Sequence, residues 1–268
     1  MGVCTNGLRM KKYLHDLYRR KDLVIYLVAS GLKAQHRNSF LGYFWWLLDP
    51  LLGVLVYYFV VVIVFRRAGG PDYGIYLVIG MIVWRWLSST VSSASKSIIS
   101  QSGIITQVYL PKAIFPIGVT FTQLVNFGFG LLVIAIFCVF FNIVPGITIF
   151  WLPLIIGMQL SFLMAIAFIL AYVCVFVRDI DNIVNHFMRL WFFGSPVIWY
   201  PEMIPERGRW LLEINPMTHF LAGYRSILMH NSNPDYMPLL YIGILSLMFV
   251  WVMVRYYSHY EHLIIKAL

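Results

Sequence analysis

Long apolar runs dominate this chain. Runs of this kind extend from Tyr43 to Phe65, Ile75 to Ser93, Ile117 to Phe141, Ile149 to Val177, Ile183 to Trp199 and Leu239 to Tyr257. A helix needs about 20 apolar residues to cross a bilayer, so the pattern predicts six spans. The second run ends in a polar, serine-rich stretch. The fourth is long enough to tilt or to include an interfacial turn. The fifth is short and is interrupted by Gly194-Ser195-Pro196.

The connections carry patterns of their own. Between residues 11 and 36, Leu14, Leu17, Tyr18, Ile25, Val28 and Leu32 recur at three- and four-residue steps, while Arg19, Arg20, Asp22 and Lys33 fall largely off that face. This predicts one amphipathic helix lying in the membrane interface. Ser97–Pro116 predicts a short helix ended by Pro111 and Pro116. The stretch 201–238 is too apolar for a free loop. It reads as two short helices broken at Asn215-Pro216 and dipping back into the membrane, which is tolerated only where the backbone packs on protein or lines a cavity.

Composition agrees with this pattern. The chain of 268 residues is 60% hydrophobic and 12% charged, about half the charge of a soluble domain. The expected fold class is an all-α membrane protein. The net charge of +9 reads as cations held on the cytoplasmic side rather than as a nucleic-acid surface. Arg9, Lys11, Lys12, Arg19, Arg20, Lys21, Lys33 and Arg37 precede the first run, and Lys96, Lys112, Arg178, Arg255 and Lys266 fall on the same side. Both termini are therefore expected in the cytoplasm. Leu23–Leu32 has the length of a signal core, but Lys33, Gln35, His36 and Arg37 follow it without a cleavage site, so no cleaved leader is expected. Residues 1–9 could be an extension ahead of a start at Met10. Three cysteines without a C-x-x-C pair support neither a disulfide framework nor a zinc site. His186, His219 and His230 are isolated, and no metal is expected.

No G-x-x-x-x-G-K-[ST], H-E-x-x-H or G-x-S-x-G occurs. Energised work by this chain would draw on a partner. An enzyme on its own is not expected. A membrane-embedded transferase acting on a lipid carrier would need a carboxylate cluster at the interface, and Asp179 with Asp181 is the only close pair.

Arg37, Ser39, Leu41-Gly42, Trp45 and Pro50 mark the passage into the first run. Val108-Tyr109-Leu110-Pro111-Lys112, Arg178-Asp179-Ile180, Pro196-Val197-Ile198-Trp199-Tyr200-Pro201, Ile204-Pro205, Asn215-Pro216-Met217 and Tyr224-Arg225 follow in order. Together these pieces resemble the ABC-2 type permeases of polysaccharide exporters over nearly the whole chain from Met10. The resemblance is nearest to the wall teichoic acid permease, with O-antigen and capsule permeases close to it. It implies export of an undecaprenyl-diphosphate-linked polymer, teichoic acid first, by a homodimer of this chain with two copies of a separate ATPase that binds ATP and Mg. It divides the chain into an extension and gate helix at 1–42 and a transmembrane domain at 43–268, with a coupling loop at 97–116, a second cytoplasmic loop at 178–182 and an outer gate at 201–238. An ABC-2 permease for a drug or simple lipid would share this fold and need no wide polar path.

Roles for residues follow from that resemblance and from their chemistry. Arg19, Arg20, Lys21, Lys33 and Arg37 would offer charge-assisted donors to a lipid pyrophosphate, or simply anchor the helix to anionic lipid. Gln101, Ile104, Ile105, Val108 and Tyr109, with Arg178 and Asp179, would meet the ATPase. Pro201, Pro205, Trp210, Asn215 and Pro216 would form the outer gate. Arg85 stands near the middle of the second run, where a charge costs a few kcal/mol. It would either contact substrate in the path or pair with Asp49. Tyr57, Tyr58, Trp191 and Phe192 would line a path for sugars, or else pack between helices. Gly42 would let the gate helix approach the first span.

Overall fold

The computed structural model describes residues 2–36, 44–64, 72–105, 107, 109–144 and 146–268, and within them every regular element is helical. In chain order these are α1 (Gly2–Arg19), α2 (Lys21–His36), α3 (Trp45–Tyr58), which widens into a π-helical stretch over Phe59–Val64, α4 (Tyr73–Lys96), α5 (Ser102–Ile105), α6 (Ile114–Phe140), α7 (Leu152–Phe176), α8 (Ile180–Phe193), α9 (Arg209–Ile214), α10 (Pro216–Leu228) and α11 (Tyr236–Ala267). Short 3-10 turns at Ile99–Gln101, Ile147–Trp151, Pro201–Met203 and Glu206–Gly208 join them.

Among the described residues, four helices are long and apolar enough to cross a membrane: Tyr73–Lys96, Ile114–Phe140, Ile147–Phe176 and Tyr236–Ala267. They correspond to the second, third, fourth and sixth apolar runs. The helix over the first run is shorter, with Leu47–Tyr58 as its apolar part. The helix of the fifth run stops at Phe193, where Gly194-Ser195-Pro196 ends it. The last helix continues ten residues beyond Tyr257, because no proline or glycine interrupts it after Gly243.

α4 is the centre of the bundle. It packs against α3, α6, α7, α8 and α10. Within its apolar window 78% of residues are buried in the chain, against 22% for α11, which packs mainly on α7. Ile75, Ile79, Val83, Leu87 and Val91 of α4 face Phe127, Leu163, Phe220 and Tyr224 in one large apolar core. A second core gathers at the Lys96 end, where Tyr13, Ile105, Leu110, Phe115, Tyr172, Tyr257 and Ile264 meet.

The N-terminal region departs from expectation in two ways, and its second helix packs on the bundle. The single helix over 11–36 is two helices, broken at Arg20. The predicted apolar face also divides. Leu17 packs on the second core together with Leu23 and Leu27, whereas Leu14, Tyr18 and Ile25 are exposed. Helical periodicity registers both faces as apolar and cannot say which one protein covers. Finally, α2 runs alongside α6. Leu27 meets Gly118, Gly31 meets Thr122, and Gln35 receives a hydrogen bond from Asn126. These contacts advance by four residues on both helices, so the two are parallel over this stretch. Gly31 and Gly118 permit that approach, since a Cβ on either would stand 3.2 Å from the opposite helix. Gly42 lies outside the described residues.

In the segment 97–116, Pro116 ends no helix. It sits in the first turn of α6, where its missing N–H is not needed. The predicted break at Asn215-Pro216 is present. Asn215 is extended (φ −78, ψ 110), as a residue before proline prefers, and its side chain caps α10.

Candidate functional site

A polar seam runs through the apolar bundle along one face of α4. Ser88, Ser89, Ser92 and Ser93 share that face because they recur at helical spacing. With Gln35, Asp49, Arg85, Gln123 and Asn126 they line a cavity of about 540 Å3. A second cavity of about 330 Å3 continues it toward Ser97, Ser100 and Gln101, and the two share Gln35, Ser93 and Gln123. Asn126 Nδ2 donates to Gln35 Oε1 at 3.0 Å and Gln123 Oε1 at 2.9 Å, and Gln123 Nε2 donates to Ser93 Oγ at 3.1 Å. One amide relay thus ties α2, α6 and α4. Trp86 Nε1 and Asn126 Oδ1 are buried without a partner.

Arg85 stands at the deep end of this seam. Its Nη2 lies 2.9 Å from Asp49 Oδ2, and both side chains remain partly exposed to the cavity. Of the two sequence readings, pairing with Asp49 is the one present, and it places the pair on the cavity wall. An ion pair with open space beside it avoids much of the penalty of a lone charge among apolar helices.

The other predicted path residues form an aromatic knot. Tyr57 and Phe192 have ring centroids 5.5 Å apart, and Trp84 lies 5.5 Å from Phe192 and 5.8 Å from Trp191. Phe192 is buried and Tyr58 is exposed away from the knot. Within a single chain these rings pack α3, α4 and α8 together.

At the Tyr73 end, residues 196–200 run without helical hydrogen bonding between apolar elements, and most of their carbonyls are taken up by side chains. Arg225 Nη1 donates to Pro196 O at 2.7 Å and Nη2 to Val197 O at 3.0 Å. Tyr73 Oη donates to Ile198 O at 2.8 Å and Tyr76 Oη to Trp199 O at 2.7 Å. The guanidinium lies 3.4 Å from the Tyr76 ring centroid. Asn215 completes the clasp. Its Nδ2 donates to Gly194 O and Ser195 Oγ, and its Oδ1 accepts from Trp191 Nε1 and Met217 N. The carbonyls of Gly194, Pro196, Val197, Ile198 and Trp199 are thus satisfied by side chains of α4, α10 and Asn215. Of the predicted outer-gate residues, Asn215 is the one at the centre. Pro201 and Pro216 are half-buried, and Pro205 and Trp210 are exposed. Arg225 enters the sequence reading only within the Tyr224-Arg225 piece of the resemblance and without a role, and Tyr73 and Tyr76 do not enter it, although a lone arginine among apolar residues is as visible at 225 as at 85.

At the Lys96 end the predicted coupling residues divide. Ile105 is buried and Ile104 is exposed. Gln101 lines the second cavity. Val108 lies outside the described residues. Tyr109 exposes its ring, and its Oη donates to Glu261 Oε1 at 2.7 Å. The Lys112 backbone N–H donates to Glu261 Oε2 at 3.4 Å, and the Ala113 N–H donates to Tyr13 Oη at 3.3 Å. Glu261 of α11 and Tyr13 of α1 therefore brace the segment 97–116, and neither was predicted. The hydrogen bond to Glu261, then burial, pushes the Tyr109 phenol up to about 12. Burial lowers the Lys112 ammonium below its ordinary value, with Glu261 opposing and Arg20 assisting. In the second loop Arg178 and Asp179 are exposed, and Asp181 makes the contacts. Ser95 Oγ donates to its Oδ1 at 2.6 Å, and Lys96 Nζ lies 3.2 Å from Oδ2.

The predicted gate-helix cations are spread along α1 and α2. Arg19 and Lys21 are exposed at the α1–α2 junction, and Lys21 lies 5.7 Å from the Tyr18 ring centroid. Arg20 is half-buried and within electrostatic reach of Lys112 and Tyr109. Lys33 is twelve residues beyond Lys21, about 18 Å along the helix. Arg37 lies outside the described residues.

Known proteins share this chain's pattern over most of its length. The O-antigen export system permease protein RfbA of Myxococcus xanthus is 30% identical over 244 residues, covering 90% of this chain and 94% of that protein. An O-antigen export system permease protein RfbA of Klebsiella pneumoniae is 28% identical over 237 residues, covering 88% of this chain and 90% of that protein. The profile of the ABC-2 type transporter family matches residues 22–229, which include α2, the polar seam, the segment 97–116 and the Arg225 clasp. This chain belongs to the ABC-2 type transporter family.

Proposed function

We propose that this chain is the membrane subunit of an ATP-driven exporter that carries a polysaccharide on a lipid carrier out of the cytoplasm. The observation that carries this reading is similarity to O-antigen export permeases over about nine-tenths of the chain. It moves the expected cargo from teichoic acid to an O-antigen type of polymer, borne on undecaprenyl diphosphate. The absence of a P-loop motif from the sequence fits a division of labour in which a separate ATPase, in two copies, binds ATP and Mg2+ and drives a homodimer of this chain. That assembly sits in the bacterial cytoplasmic membrane.

In this reading α3 with its π-helical extension and α8 are the two further spans, giving six, and both termini face the cytoplasm. The Lys96 end is then cytoplasmic, and α9 and α10 re-enter the membrane from outside. The segment 97–116, braced by Glu261 and Tyr13, would take the push of the ATPase, and a brace of this kind suits a part that must move as one body. Arg19 and Lys21 would meet the lipid diphosphate at the headgroups. The serine and amide face of the seam offers hydroxyl and amide partners to water or sugar at membrane depth. The aromatic knot at Tyr57, Trp84, Trp191 and Phe192 would border the path between the two copies.

Deletion of this chain in its source cell tests the reading. The expected result is lipid-linked polysaccharide accumulating on the cytoplasmic side, with a P-loop ATPase co-purifying in equal amount from the wild-type membrane. Normal surface polysaccharide after deletion, or purification without any ATPase, overturns it.

A further inference from the structure

We infer that the groove between α7, α11 and the α9–α10 turn holds one acyl chain of a membrane phospholipid whose headgroup bears a primary amine. This is independent of what the protein transports and needs only that α11 crosses the membrane. The groove encloses about 770 Å3, within the about 300–1,000 Å3 of small-molecule sites. Phe162, Ile166 and Ile169 of α7 form one wall, and Ile242, Leu245 and Phe249 of α11 form the other. Ile169, Leu245 and Phe249 are 37%, 39% and 44% exposed, so the trough is open along its side. Depth gives it a direction. α11 carries no charged residue from 236 to 254, about 28 Å of helix, close to the thickness of bilayer hydrocarbon. Asp235 therefore stands at headgroup level, and Phe249 lies about 21 Å further along the helix, past the bilayer centre. A polar mouth at the headgroups and an apolar trough along the acyl chains match the shape of a lipid.

The mouth selects the headgroup. Glu213, His219 and Asp235 line it, and no lysine or arginine does. Glu213 and Asp235 are exposed, and among the described residues neither carboxylate makes an ion pair. Asp235 Oδ1 accepts from the Met237 N–H at 3.3 Å, which leaves Oδ2 open. His219 Nε2 donates to the Glu213 carbonyl at 2.8 Å, so in the neutral ring Nδ1 is a further acceptor. The mouth is thus rich in acceptors and lacks a cation. An anionic headgroup, the diphosphate of a lipid carrier included, is repelled there. A trimethylammonium is attracted by charge but has no N–H to give. A primary ammonium brings both the charge and three donors. With its amine on Glu213 and Asp235 and one chain in the trough, such a lipid would tie the α9–α10 turn to α11, its phosphate and second chain lying on the open side.

Native mass spectrometry of the delipidated full-length chain tests this. The probes are phosphatidylethanolamine, phosphatidylcholine and phosphatidylglycerol with identical acyl chains. Phosphatidylethanolamine is expected to bind at least about fivefold more tightly than either of the others. Glu213→Gln combined with Asp235→Asn is expected to erase that preference at unchanged thermal stability, since asparagine keeps the oxygen that caps α11. Leu245→Trp, which narrows the trough from an exposed position, is expected to weaken phosphatidylethanolamine binding by a similar factor. Ile169→Trp on the opposite wall gives the same readout should Leu245→Trp fold poorly. Equal affinity for the three lipids, a preference that survives the double variant, or binding untouched by the tryptophan overturns the site. Loss of the lipid whenever the chain dimerises would assign the groove to a second copy instead and overturn it as well.

Discussion

Gly80 shows how little freedom single residues have in this bundle. A Cβ there would stand 2.5 Å from Val197 O and 2.6 Å from Arg225 Nη2, so a methyl group must break the clasp. Gly128, also in a helix, has nothing within 4 Å of its Cβ position. Gly80→Ala is expected to destabilise the chain by about 2 kcal/mol, while Gly128→Ala stabilises it by about 0.5 kcal/mol through helix propensity. Denaturation of both variants in mixed micelles checks the opposite signs. Asp181 gives a pH signature at the same scale. Burial pushes its carboxyl up, but the Ser95 hydrogen bond and Lys96 outweigh that and hold it below its ordinary 3.8. A lowered folded value means the contribution is complete above pH 3.8 and is lost as pH falls through the folded value. Lys96 is largely exposed, so the effect is under about 1 kcal/mol. The stability difference between wild type and Asp181→Asn, followed from pH 6 to pH 2, should shrink only below the ordinary value.

Among the elements, α11 has two jobs. It packs along α7 through the bundle, with Tyr257 Oη donating to Phe168 O at 3.0 Å, and beyond that contact it reaches the segment 97–116 through Glu261. Glu261→Ala frees Tyr109 and the Lys112 N–H together. On the proposed function, the expected outcome in the reconstituted complex is more ATP consumed per polymer moved, with partial rescue by Glu261→Gln, which keeps an acceptor. An unchanged ratio would show the brace to be dispensable. The brace also marks the limit of what the sequence discloses. The four long helices were legible because apolar runs of that length have one plausible structure, and Asn215-Pro216 was legible because proline constrains the residue before it. Glu261 was not, since its partners are 149 and 152 residues away and nothing local ties a carboxylate near one end of the chain to a loop in its middle. The role of Arg225 was missed for the same reason. An arginine at depth announces a need for partners, but backbone carbonyls supply those partners and leave no mark in the sequence. The split face of α1 and α2 lies beyond periodicity, which treats lipid and protein as one apolar medium.

For the whole molecule, the least apolar long helix is the one at the centre. α4 has a mean hydropathy of 1.4, against 2.2 to 2.4 for the other three. It carries Arg85 and the serine face, yet more of it is buried in the chain than of any other candidate span. That combination has a consequence for biogenesis. Helices leave the ribosome in order, and when α4 emerges its packing partners α6, α7 and α10 do not yet exist. Asp49 does exist, one helix earlier, and is the partner Arg85 finds at 2.9 Å in the finished protein. On the six-span reading, the pair would let α3 and α4 enter the bilayer together before the rest of the bundle is synthesised. In a glycosylation-mapping assay on chains truncated after Lys96, α4 should insert efficiently with Asp49 present and poorly with Asp49→Leu, and Arg85→Leu should restore insertion. The ion pair on the cavity wall would then have served first as an admission ticket to the membrane.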